Sequence, residues 1–282
     1  MTGPDFDHFC RLVQTRSGLS IGAEKTYLVQ SRLEPVARAN GVAGVPELLA
    51  RLRAGAPETL VRRCIDAMAT HESLFFRDAT PFSELAGLVL PELARTRPAN
   101  QPLRIWCAAC SSGQEPYSIA MLMQEQAYVL AGRRVEIVAT DMAEGILDKA
   151  RAGVYSDFEV RRGLSPERLG RWMTARGGDW EVSAQLKAMV SFRRHNLLDG
   201  AAGLGVFDIV FCRNVLIYFD APRKAQVLEQ IAGVTAPDGA LFLGSAETII
   251  GLTEAFALTP GARAVYRPKG AKGQPSKLAR TA

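Results

Sequence analysis

The segment Arg104 to Ala120, RIWCAACSSGQEPYSIA, concentrates residues able to do chemistry. An apolar run, Leu103 to Ala109, breaks into small residues and Gly113, and a helical pattern opens at Glu115-Pro116. A strand passing through a small-residue turn into a helix start is how an α/β sheet presents N–H groups and a helix N-terminus to a ligand. The dinucleotide signature GxGxxG is absent; a Ser-Ser-Gly turn stands in its place, with the acid Glu115 just inside it. A carboxylate there suits a ligand that carries positive charge or donates hydrogen bonds, as the sulfonium, ammonium and ribose groups of S-adenosylmethionine do. Asp141 closes the next apolar run, where an acid either accepts from ribose hydroxyls or caps the helix expected over 143–152. In CRNVLIYF (212–219), Arg213 and Asn214 are polar where a buried strand leaves the sheet. Tyr218 follows one helical turn later, turned either towards the cofactor or outwards with its hydroxyl in water. In THESLFFRD (70–78), Phe75 and Phe76 anchor a connector, and Arg77 lies either at the sheet's ligand end or in solvent.

These groups need a scaffold. Strand patterns cover 103–109, 134–141, 189–197, 207–214 and 239–247, and helix patterns cover 115–130, 143–152 and 221–235. Apolar strands separated by amphipathic helices predict a sheet covered on both faces, with ligands outside the carboxyl ends of its strands. Ser111, Asp141, Asn196 and Arg213 all fall at such ends. Residues 1–75 read differently: Phe6, Phe9, Leu12 and Val13 recur at helical spacing, as do Tyr27, Leu28, Leu33 and Val36, and two later sets up to Met68. That predicts a helical bundle. Between 164 and 188 a helix-like SPERLGRWM and two short strands about Gly177-Gly178 predict an inserted hairpin-bearing subdomain. The expected organisation is thus a helical domain at 1–75, a linker at 76–102, an α/β domain at 103–267 with its insert at about 164–188, and a disordered basic tail at 268–282.

Composition narrows the function. The net charge is +5 over 282 residues, and the tail, with Lys269, Lys272, Lys277, Arg280 and no acid, supplies most of it. The folded part is only weakly basic and its aromatic residues do not interleave with basic ones, so no nucleic-acid partner is expected. No apolar run reaches the length of a membrane span, and the N-terminus lacks the basic-then-apolar order of a signal peptide. A cytoplasmic protein with no direct membrane insertion is expected. Five scattered cysteines fit a reducing compartment. Cys107 and Cys110 form a CxxC without a second pair at partner spacing, so they read as buried small residues and no metal site is expected.

Taken together and in this order, THESLFFRD, RIWCAACSSGQEPYSIAM, ATDM, HNLL and FDIVFCRNVLIYF resemble the chemotaxis receptor glutamate methyltransferases of the CheR type, over roughly residues 5–267. The resemblance implies an α/β, Rossmann-like class I methyltransferase sheet with an N-terminal all-helical domain and a small inserted β-subdomain. It implies S-adenosylmethionine as cofactor, S-adenosylhomocysteine as product, and glutamate side chains on the cytoplasmic helices of chemoreceptors as substrate. Carried over by motif position, His71, Ser73, Arg77, Glu115, Asp141, Asn196, Leu197, Cys212 and Arg213 bind the cofactor. Arg77 and Tyr218 are the expected catalytic residues, Tyr218 lying beside the transferred methyl. Three positions depart from the family pattern: His71 replaces a usual Asn, Ser73 a usual Thr, and Gln114 a usual acid. Ser73 keeps the hydroxyl, whereas His71 introduces an imidazole that can titrate near neutral pH.

Lys25, Arg32 and Arg38 fall on the second helical pattern, where a basic face would meet glutamate-rich receptor helices or simply be solvated. Some family members hold a receptor C-terminal peptide on the inserted subdomain through a longer loop. The compact TARGGDWEV here argues against such tethering.

Overall fold

Apolar residues at helical spacing build α1 (Pro4–Ser17), α2 (Thr26–Ala39), α3 (Val45–Gly55) and α4 (Glu58–Met68), in a computed structural model that describes residues 3–270. Proline opens α1 and α3, where a missing N–H costs nothing. The inward faces, among them Phe9, Val13, Leu33, Leu48, Leu49 and Ile65, close a core separate from the rest of the molecule.

The expected linker at 76–102 is mostly helix. It forms α5 (Ala79–Glu84) and α6 (Leu90–Thr96), continuous through one wide π turn at Leu85–Val89. Pro81, Gly87 and Pro91 read as breakers in sequence. The apolar stripe Phe82, Leu85, Val89, Leu90 and Leu93 outweighs them by packing on the sheet.

The main sheet then begins with β1 (Leu103–Ala108), followed by α7 (Gln114–Glu125), α8 (Ala127–Leu130), β2 (Val135–Asp141) and α9 (Glu144–Ala152). A small three-stranded sheet follows, made of β3 (Val154–Ser156), β4 (Met173–Arg176) and β5 (Asp179–Val182), with α10 (Asp157–Arg161), α11 (Pro166–Trp172) and α12 (Ala184–Lys187) around it. The chain re-enters the main sheet with β6 (Val190–Arg194) and β7 (Phe207–Cys212). It then passes through α13 (Ala221–Val234) to β8 (Thr235–Leu243), β9 (Phe256–Leu258) and β10 (Val265–Pro268).

The strand order is β6-β2-β1-β7-β8-β10-β9. The first five strands are parallel, and β9 and β10 close the edge as an antiparallel pair. From β1 the chain moves one way to β2 and β6, then crosses to β7 on the other side, so the switch point lies between β1 and β7. Alternation splits the core between the two faces. Ile105, Cys107, Ile209 and Phe211 pack under α5 to α7 and the inserted subdomain. Trp106, Ala108, Val210 and Cys212 pack under α13.

Several details differ from the sequence reading. The strands β9 and β10 span three and four residues, too short for alternation to show. The small sheet recruits Val154–Ser156, well before residue 164, because β3 pairs with β5. The fifth long strand runs from Thr235 to Leu243 and stops before Glu247. Pro268 belongs to β10, so the sheet reaches into the expected tail. Residues 271–282 lie outside the described residues.

Candidate functional site

A cleft opens at the switch point, where sheets of this kind bind their ligands. It is lined by connector residues 69–74 and Arg77, the turn after β1, the ends of β2, β6 and β7, and Ser17 and Leu19 of the helical domain. Nine of the residues read as cofactor-binding or catalytic line it: His71, Ser73, Arg77, Glu115, Asp141, Asn196, Leu197, Arg213 and Tyr218. Cys212 does not line it. Its side chain belongs to the fully buried core under α13, and burial pushes its thiol well up, which keeps it neutral.

The turn after β1 is held in left-handed backbone at Ala109, Ser111 and Gly113. Its N–H groups are largely used internally: Cys110 N bonds to the Thr140 carbonyl at 2.8 Å and Gly113 N to the Cys110 carbonyl at 3.1 Å. Ser111 N donates to Asp141 Oδ2 at 2.9 Å. Asp141 also receives Ala143 N on Oδ1 at 3.1 Å, so it shapes the entry to α9. Each of its oxygens accepts one main-chain bond and retains capacity for a hydroxyl donor. Presentation to the ligand therefore falls to the Asp141 carboxylate rather than to a cradle of amides.

Glu115 lies deeper. Burial raises its pKa and the Arg213 guanidinium opposes that rise. Arg213, with its side chain 1% exposed, reaches Glu115 Oε2 at 2.7 Å through Nη1. Through Nη2 it donates to the Arg77 carbonyl at 2.7 Å and Asp78 Oδ2 at 3.0 Å. Among the described residues nothing donates to Glu115 Oε1, leaving it for a cationic ligand group. Two carboxylates, one in the first turn of α7 and one ending β2, fit the ammonium and hydroxyls of S-adenosylmethionine.

The connector is fastened along its length. Arg32 donates to the Met68 carbonyl, to the Ala69 carbonyl at 3.0 Å and to Thr70 Oγ1 at 3.0 Å. Ser111 Oγ donates to the His71 carbonyl at 3.1 Å, and Phe76 N to Ser118 Oγ at 2.9 Å. Phe76 and Asp78, on either side of Arg77, both sit at positive φ, 47° and 57°. Strain of that kind persists only where surrounding contacts over-determine the backbone, and here Arg213 and Ser118 supply them. Arg32, expected to meet substrate, is thus committed to main-chain oxygens because the end of α4 leaves them without partners. Lys25, in a turn just before α2, and Arg38 are exposed.

Phe75 packs edge-on to Tyr155 at 5.0 Å, and Gly163 lies directly against its carbonyl. A Cβ on Gly163 would stand 1.9 Å from that oxygen. Gly163→Ala should therefore displace the connector, costing about 1–3 kcal/mol of stability and weakening cofactor binding about tenfold. Thermal melts and calorimetry check this, and unaltered affinity would show that the connector has room to move.

The helical domain supplies a wall that the sequence reading missed. Asn196 Nδ2 donates to the Arg16 carbonyl at 2.6 Å, and Ser20 N to the Tyr218 carbonyl at 3.3 Å. Leu19 packs against both the helical core and the core under α13. No local pattern marks Ser17 or Leu19, because only the closing of one domain on the other brings them to the cleft. His195, also on the cleft, is held neutral by burial, which lowers its pKa.

Asp66, near the end of α4, has a buried Oδ1 without a hydrogen-bond partner. Burial pushes its pKa up to about 6, with Asp141 and Glu144 adding to the rise and Arg194 and Arg62 opposing it. Its folded pKa exceeds its unfolded one, so the ionised form costs stability above pH 6, and the cost fades as pH falls towards 4. Asp66→Asn should add about 1 kcal/mol at pH 8, after discounting for solvent screening. Melting curves at pH 8 and pH 4 should differ in that gain.

A mostly parallel sheet with Glu115 in the helix after β1, Asp141 ending β2 and no glycine-rich phosphate turn is that of a Rossmann-like class I methyltransferase. The model of the CheR methyltransferase SAM-binding domain matches residues 71–265, and that of the CheR all-alpha domain matches residues 4–69. Chemotaxis protein methyltransferase 1 of Pseudomonas aeruginosa is 44% identical over 275 residues, covering 94% of this chain and 98% of the relative. Chemotaxis protein methyltransferase Cher2 of Pseudomonas putida is 42% identical over 272 residues, covering 94% and 98%. The chemotaxis protein methyltransferase of Vibrio parahaemolyticus is 43% identical over 255 residues, covering 89% and 92%. The chain belongs to the CheR methyltransferase family, and it is a SAM-dependent methyltransferase of chemotaxis.

Proposed function

We propose that the protein methylates glutamate side chains on the cytoplasmic helices of chemoreceptors, forming glutamyl methyl esters and leaving S-adenosylhomocysteine. The observation that carries this reading is the convergence of Arg77, Glu115, Asp141 and Tyr218 on one cleft in a member of this family. When bound, the cofactor supplies a methyl group already activated by its positive sulfur. A glutamate carboxylate, with a pKa of about 4.3, is ionised at neutral pH and needs no general base. The chain's own residues then have to align the reactants and limit water.

In this reading Asp141 receives ribose hydroxyls and Glu115 the ammonium, while His71, Ser73, Asn196 and Leu197 complete the cofactor's walls. Arg77 donates to the approaching carboxylate or to the cofactor. Tyr218 orients the methyl-bearing end of the cofactor. Residues 1–75 meet the receptor, with Lys25 and Arg38 as the available cations, and residues 103–267 hold the methyl donor. The two-residue Gly177-Gly178 turn between β4 and β5 supports a reading without peptide tethering. The proposed site of action is the cytoplasm, and no helix among the described residues is long and apolar enough to cross a membrane.

Incubating the protein with methyl-labelled cofactor and receptor-containing membranes tests the proposal. Base-labile label mapped to receptor glutamates is expected. Base-stable label, or label confined to other side chains, would sink it.

A further inference from the structure

The Glu247 carboxylate gathers four main-chain donors. Its Oε1 accepts Val215 N at 2.9 Å and Leu216 N at 2.8 Å. Its Oε2 accepts Asn214 N at 2.8 Å and Gly244 N at 2.7 Å. Three consecutive amides on one carboxylate make a nest at the end of β7, and Asn214 adopts φ 58° to close it. The contact leaves no room for a side chain at residue 244, where a Cβ would lie 2.7 Å from Glu247 Oε2 and 2.9 Å from Asn214 N.

Both residues bordering this nest belong to the site. Arg213 precedes it, and the short 3-10 turn Leu216–Tyr218 stands on it, with Tyr218 N donating to the Val215 carbonyl at 3.1 Å. Glu247 does not line the cleft. We infer that Glu247 is a positioning residue, whose charge fixes the β7 loop so that Tyr218 is set for methyl transfer. A neutral amide cannot replace it: glutamine keeps one acceptor oxygen and turns an NH₂ towards amides that are themselves donors.

The inference rests on Tyr218 acting in methyl transfer, so the test separates the two. Glu247→Gln, Tyr218→Phe and the double variant are compared for receptor methylation, cofactor affinity and amide exchange. In Glu247→Gln, amides 214–216 should exchange faster while those of β7 and β8 keep their protection. Its kcat should fall about tenfold with receptor KM within about twofold, the pattern of a lost transition-state contact. The double variant should be no slower than the slower single variant, since both changes act through one group.

Effects that multiply in the double variant, or a loosened loop with wild-type kcat, would overturn the role of Glu247. So would unchanged exchange of amides 214–216, or a loss expressed only as lower thermal stability. A Tyr218→Phe protein with full turnover would instead overturn the role of Tyr218. In that case a slowed Glu247→Gln variant would place Glu247's action elsewhere and refute the inference as stated.

Discussion

Arg213→Met should unfold about 10 °C below the wild type and lose measurable cofactor binding. The side chain is 1% exposed and supplies the cation beside buried Glu115. Removing one partner of a buried pair leaves an uncompensated charge, at a cost of about 3–5 kcal/mol, which for a chain of this size is roughly 10 °C. The same change frees the Arg77 carbonyl and Asp78, so the strained connector loses a fastening as well. The pH dependence identifies the cause. Burial already raises the pKa of Glu115, and Arg213 opposes that rise. Without the guanidinium the folded-state pKa climbs further above the unfolded one. The penalty is then full at pH values above the folded pKa and is relieved by proton uptake on acidification. The deficit in melting temperature should be larger at pH 8 than at pH 5. Glu115→Gln added to Arg213→Met should recover part of the loss at pH 8. A variant as stable as wild type at pH 8, or a double variant no better than Arg213→Met alone, would refute the account.

Arg77→Ala should lower kcat/KM for receptor methylation about a thousandfold, at the upper end of what one charged donor contributes to a developing reaction centre. The residue lines the cleft, and among the described residues its guanidinium makes one hydrogen bond, to the Glu72 carbonyl at 3.2 Å. Its removal should therefore leave the melting temperature within about 3 °C, as expected for a side chain outside the core. Arg77→Lys should fall between the two, since it keeps the charge but loses the planar fork. The backbone at 76–78 takes its shape from Arg213 and Ser118, so Arg77→Ala separates the guanidinium's contribution from that of the loop. Wild-type turnover in Arg77→Ala would remove the residue from the reaction.

How far the sequence could be read depended on whether a feature was local. The five long strands and the helices over 114–125, 144–152 and 221–234 were legible because each carries its own apolar periodicity. Asp141, Asn196 and Arg213 were legible because strand ends are where such a sheet binds; His71, Ser73 and Leu197 were placed only by the family resemblance, and all of these line one cleft. The helices over 79–96 were hidden by Pro81, Gly87 and Pro91, whose local preferences tertiary packing overrides. Arg32 looked like a surface cation because sequence does not show that Met68 and Ala69 end a helix beneath it. Cys212 adjoins Arg213 in sequence, but strand alternation sends it to the opposite face. Glu247 read as the end of a strand, since three of its four donors lie 31 to 33 residues earlier.

Ser17 and Leu19 form one side of the cleft that the sheet domain and connector otherwise build, and the Arg16 carbonyl accepts from Asn196 beside it. A hybrid enzyme made by grafting another relative's first 70 residues onto this sheet would inherit that relative's pocket lining at these positions. If residues 1–75 meet the receptor as proposed, selectivity for the target and grip on the small molecule are inherited together. A matching pair at Asn196 and the Gly18–Ser20 span is what a functional graft has to preserve.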